Sequence, residues 1–290
     1  LISAVLSLLG IALIKERHIP ETTKEDKVKV TDIFGMIKTN GALRIRLADM
    51  LFTGFIWNFL FATATYYAKW AYCTDLTTGA VDTAKLGTFT MVSSLLMFFP
   101  LIIGTLVASP IMKAIGSPIR FHRILILLEF VPGGILFVLQ MVGLLQSLPA
   151  VYLLCMGVCA CAIGMDYIPG EVINIEAMDY EIYKNGKDRS ALCNAANKFL
   201  GKAQSAVASG LVGVILVAVG YEVDSATDTF LGELSSIPVM LDWFIVIMGL
   251  IPFFLGLVGW LVLKRYPITD EIRADMHEKL SGTSHAAGNT

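Results

Sequence analysis

The sequence predicts an all-α membrane protein with six spans, and three observations carry that reading. Of 290 residues, 56% are hydrophobic and 16% charged, against roughly 45–50% apolar and about 25% charged in soluble domains. Apolar runs of about twenty residues or more, the length a helix needs to cross a bilayer, recur along the chain. Basic residues gather in alternate connections between those runs. Soluble enzyme folds are excluded by this composition, and no enzyme activity is expected. A net charge of −2 and a pI near 6.1 supply no basic field for a nucleic-acid partner.

In chain order, residues 1–14 are apolar without a basic leader or a small-residue cleavage site, so they do not read as a signal peptide. Fourteen helical residues cover about 21 Å of the roughly 30 Å hydrocarbon core, so this stub is expected to be the end of a membrane helix. Residues 15–44, rich in Lys, Glu and Thr, are expected to form a polar loop. Spans follow near 45–68, 86–108, 122–145, 150–177, 191–220 and 239–263, and a polar tail occupies 265–290.

With six spans, every second connection faces the same side. Eighteen of the 22 basic residues fall in 15–46, 109–123, 181–190 and the stretch from Lys264 through the tail, while the opposite connections hold only Lys69 and Lys85 beside acids such as Asp75, Asp82, Glu222 and Asp224. The bias toward basic cytoplasmic loops therefore predicts that the loops 15–44, 109–122 and 181–190 and the C-terminus are cytoplasmic.

Polarity divides the spans. The last is free of ionisable groups from Phe244 to Leu263 and reads as a peripheral, lipid-facing helix, and Glu129 in the third is expected to reach Arg123 or the interface. The first carries Thr53, Asn58, Thr63, Thr65, Tyr66 and Tyr67, and the fourth carries Asp166, Tyr167, Glu171, Asn174 and Glu176. Ionisable groups at membrane depth usually line a cavity or pair with one another. First and fourth are equivalent positions in a three-plus-three arrangement of the kind found in secondary transporters.

Within the fourth span, Pro169 and Gly170 are expected to interrupt the helix between the carboxylates of Asp166 and Glu171, where a freed carbonyl could help hold a cation or a sugar hydroxyl. Lys198 and Lys202 share one face of the fifth span. Lys198 is near enough to the membrane edge to snorkel, whereas Lys202 lies deeper among small residues and is the better cavity candidate. Glu176, Asp179 and Arg189 put opposite charges around a short loop, a possible gate of breakable ion pairs. Trp57, Tyr66, Tyr67, Trp70 and Tyr72 read mostly as an interfacial belt, with Trp57 or Tyr67 able to stack on a sugar ring. Cys73, Cys155, Cys159, Cys161 and Cys193 read as small hydrophobes, with neither a disulfide framework nor a metal site encoded. No Gly-rich phosphate loop or metalloprotease helix is present in the sequence.

The run Glu176, Asp179, Tyr180, Glu181, Lys184, Gly186, Lys187 and Arg189, followed by Lys202 and by Gly220 and Tyr221, resembles the glycoside-pentoside-hexuronide:cation symporter family of the major facilitator superfamily. The stretches 38–43 and 265–271 are similar to that family as well. The resemblance implies a twelve-helix transporter of which this sequence supplies the C-terminal six helices plus the end of helix six, with the N-terminal half as partner. It implies symport of a sugar or glycoside with H+, Na+ or Li+ by alternating access, in the cell membrane and without a cofactor. Lys202 matches a lysine tied in that family to the cation and sugar region. Tyr167 falls where an aromatic contacts sugar, and Asn58 lies on the cavity-facing seventh helix. Glu176, Asp179 and, with a one-residue shift, Arg189 match a cytoplasmic charge gate. The alternatives are a lipid or drug carrier of the same superfamily and a non-transporting membrane scaffold.

Overall fold

The structure is a computed structural model and describes residues 32–287. The expected helix stub at 1–14 and most of the loop 15–44 lie outside the described residues. A short helix α1 (Asp32–Thr39) precedes α2 (Gly41–Tyr72), α3 (Thr83–Ile115), α4 (Pro118–Met141), α5 (Pro149–Asn185) and α6 (Ser190–Ala218). The last span, Ser236–Arg265, is made of α7 (Ser236–Ile245) and α8 (Ile251–Val262) joined by a π-helical turn, and the tail forms α9 (Asp270–Ala287). Among the described residues, six helices are thus long and apolar enough to cross a membrane. The first starts at Gly41, a turn earlier than the hydropathy suggested, because Asn40 caps it by accepting from the Leu43 amide at 2.9 Å.

Around α2 are packed α8, α6 and α5, while α4 lies between α5 and the last span and α3 packs on α5. The α3–α5 seam is a backbone approach: a Cβ at Gly104 would lie 2.4 Å from the Cys161 carbonyl oxygen, and one at Gly164 only 2.1 Å from that of Leu101. Small residues let membrane helices close to this distance, where dispersion contacts hold them. Thr105 adds a hydroxyl donated to the Gly164 carbonyl at 2.9 Å.

Three expectations are corrected here. The last span is not peripheral: 39% of the residues in its apolar window are buried, against 11% in α3. Phe244 and Ile245 are fully enclosed and Gly249 meets the backbone of Gly133. An apolar surface is equally content against lipid or against other helices, so hydropathy does not tell the two apart. Pro169 does not interrupt its helix either, since α5 runs unbroken through it, as α3 runs through Pro100 and Pro110. It is the last span that departs from α-helix, widening to a π-turn at 246–250 just ahead of Pro252, which has no amide to donate back.

The third correction concerns the aromatic cluster, which is core rather than belt. Tyr67 and Trp70 are fully buried and Tyr72 nearly so, packed with Tyr152, Tyr221 and Phe230. Tyr67 donates to Gln140 Oε1 at 2.7 Å, and Gln140 donates in turn to Asp242 at 2.7 Å. At this end the loops 73–82 and 219–235 interlock, with the Phe230 amide on the Gly79 carbonyl and Lys69 paired to Asp228 at 2.6 Å. All five cysteines are free thiols.

Candidate functional site

A cavity of about 370 Å³ opens between α2, α4, α5 and α6. Helical periodicity puts its lining in register. On α2, Arg46, Met50, Thr53 and Trp57 recur at three- and four-residue steps, as do Ile163, Asp166, Tyr167, Gly170 and Glu171 on α5. His122 and Glu129 are seven apart, on one face of α4, and Gly201 and Gln204 come from α6.

At the floor of this cavity, Arg46 donates to Asp49 Oδ2 at 2.6 Å, and His122 Nε2 meets the same oxygen at 2.9 Å. His122 Nδ1 is hydrogen-bonded to Asp166 of α5. Asp49 is fully buried, and its Oδ1 and the Arg46 Nε have no partner among the described residues. Gly170 makes room for the guanidinium, since a Cβ there would lie 3.2 Å from Arg46 Nη2. Gly54 does the same for Gln204, whose amide donates to the carbonyls of Met50 and Leu51 at 2.7 and 3.0 Å and ties α6 to α2.

Of the residues singled out from sequence, Asn58, Asp166, Tyr167 and Glu171 line the cavity. Asn58 donates to the Gly54 carbonyl of its own helix at 2.7 Å, while Tyr167 and Glu171 are exposed at the rim. Lys198 and Lys202 lie outside the lining: both are exposed on α6, where Gly201 and Gln204 take the cavity positions. Glu129 does not reach Arg123 or the interface. It is buried in the cavity wall, and Arg123 covers the Trp260 ring at 4.6 Å. Tyr67 lies in the aromatic core away from the cavity, whereas Trp57 is at its wall. Sequence reasoning missed His122 and Gln204 and treated Arg46 and Asp49 as the edge of a span. The seven-residue step from His122 to Glu129 was the available signal.

Glu176, Asp179 and Arg189 are not brought together. Glu176 is held bidentately by Arg273 of α9, at 2.6 and 3.3 Å, and Arg189 reaches Glu181 at 3.5 Å. The hydrogen bonds to Glu176 raise the Arg273 pKa above its ordinary value. Asp188, ahead of α6, accepts from the Ser190 amide and hydroxyl and is held below the usual carboxylate range. Around these pairs, Met36, Leu43, Cys193, Ile268 and Met276 form a second apolar core that joins α1 and α9 to the basic end of the bundle.

A model of the family described as MFS/sugar transport protein matches residues 1–270. No curated protein and no solved structure matches the chain.

Proposed function

This chain belongs to the MFS/sugar transport protein family, the membrane transporters of the major facilitator superfamily, and we propose that it forms the C-terminal six helices of a twelve-helix symporter for a sugar or glycoside. The observation that carries the reading is the cavity itself. Its walls carry charged, amide and aromatic side chains along an otherwise apolar surface, most of them from the first and fourth spans, and such groups are costly inside a membrane unless they line a path or pair. Trp57 and Tyr167 offer ring faces to the apolar side of a sugar, and Asn58, Glu171 and Asp166 offer hydrogen-bonding groups to its hydroxyls. The N-terminal half closes the opposite wall, and rocking of the two halves exposes the cavity to each side in turn. The basic end of the bundle is cytoplasmic by the distribution of Lys and Arg. Lys202, exposed on a face of α6 rich in small residues, then meets the N-terminal half together with Lys198.

Reconstitution tests this. Vesicles holding residues 1–290 alone are expected not to accumulate radiolabelled glycosides under proton or sodium gradients, and those also holding an N-terminal half are expected to do so. Accumulation by this chain alone, or none by the pair with any glycoside, overturns the reading. One observation favours a second reading as an amphiphile carrier: an apolar groove of about 650 Å³ runs along α1, α2 and α6, lined by Phe34, Leu47, Leu51 and Phe199. Uptake of a labelled lysophospholipid in place of sugar would select it.

A further inference from the structure

The groups around His122 bear on the coupling ion. The ring sits one turn inside α4, and each of its nitrogens meets a carboxylate, Asp166 from α5 and Asp49 from α2. A neutral imidazole has one N–H and one bare nitrogen. One of the two contacts therefore holds only with a further proton, on the ring or on a carboxyl group. Arg46 shares the Asp49 oxygen. Glu129 comes from the same helix two turns deeper, Glu171 from α5, and Tyr266 stands beyond Arg46. Elsewhere α8 brings no ionisable side chain, Arg123 is turned onto Trp260, and Lys113 of α3 and Lys198 and Lys202 of α6 are exposed.

With Arg46 and the ring both counted as cations, two positive charges face four carboxyl groups. Glu129 is the one left over at depth: it is 6% exposed, lines the cavity, and its carboxyl has no hydrogen bond or ion pair among the described residues. A buried carboxylate without a counter-ion is costly. The smallest charge that relieves it is a proton, which forms an O–H bond on the Glu129 carboxylate and raises the cluster's charge by one. A metal cation would have to enter beside Arg46 and the ring, against their repulsion.

We infer that Asp49, His122, Glu129 and Asp166 form a proton-binding site facing the cavity, and that the cation carried with the substrate is a proton. The site stands on this geometry, and its part in coupling rests on the symporter reading above. Because the cluster joins α2, α4 and α5, loading and release change the pairing between three helices, and a ligand that favours one arrangement shifts the bundle toward it.

The test uses the chain in lipid nanodiscs, labelled with [13C]glutamate and [15N]histidine and followed by NMR from about pH 5 to about pH 9. Glu129→Gln and His122→Gln assign the signals. The Glu129 carboxyl is expected to titrate once in this window. Asp166→Asn, which removes a charge from the same cavity and a hydrogen-bond partner of the His122 ring, should move its midpoint. If that variant fails to fold, His122→Gln should move the same midpoint. Exchanging choline chloride for sodium chloride should leave it in place. A Glu129 signal that is constant across the window, or indifferent to both neighbours, overturns the site. Saturable displacement by sodium assigns the ligand to a metal ion and overturns the proton. No sugar is present, so failure here is distinct from failure of the glycoside assay.

Discussion

Charges stand within the spans in two regions of this bundle and are treated in opposite ways. On α2, α4 and α5, Arg46, Asp49, His122 and Asp166 close on one another inside the protein. On α6, Lys198 and Lys202 are exposed and make no ion pair among the described residues. The first set is part of how six helices hold together. The second set makes no ion pair that would add to that packing among the described residues.

Four substitutions break or sharpen this contrast, in falling order of effect. Asp49→Asn should be the most damaging to the bundle, because it takes away the negative charge that the buried Arg46 and His122 share and puts an amide N–H₂ beside them. Loss of one partner from a buried pair costs about 3–5 kcal/mol, read as a fall in melting temperature and membrane yield. Gly164→Ala then breaks the bundle without touching a charge. Its new methyl group collides with the Leu101 carbonyl, and overpacking of this sort costs about 1–3 kcal/mol. A stability loss as large as that of Asp49→Asn would mean that helix contact, not charge pairing, dominates the fold.

Tyr67→Phe comes third. It removes the donor to Gln140 in the buried aromatic core, with an expected loss of about 1 kcal/mol by thermal unfolding. Lys202→Ala should change stability least, within about 0.5 kcal/mol as for an exposed position. In the transporter assembled with an N-terminal half, it should nonetheless abolish cation-coupled accumulation, with Lys198→Ala doing less. A Lys202→Ala protein that unfolds early would place the lysine among the structural charges. One that transports normally would show that the lysine has no part in coupling.

Legibility of the site followed the same division. Asn58, Asp166, Tyr167 and Glu171 could be found from sequence because a polar residue inside an apolar run is conspicuous and its helix face can be counted. His122 and Asp49 were passed over because each stands within a few residues of a span's start, where a charge needs no explanation. Their meaning comes from partners 44 and 73 positions away. Glu176 was read against its own loop, while its actual partner is Arg273, 97 positions on.

What the sequence determined by itself was the number of spans, their order and the sharp segregation of basic residues to one set of connections, because these depend only on how each segment partitions between water and hydrocarbon. What the tertiary structure decided was which apolar helix is enclosed and which charges are paired. The last span and α3 have nearly the same hydropathy, yet one is wedged between α2 and α4 and the other lies mainly along α5. Inside a membrane, transfer from lipid to protein changes little for an apolar side chain, so burial is settled by close backbone approaches such as Gly164 on Leu101 and by polar partners such as Asp49 and His122.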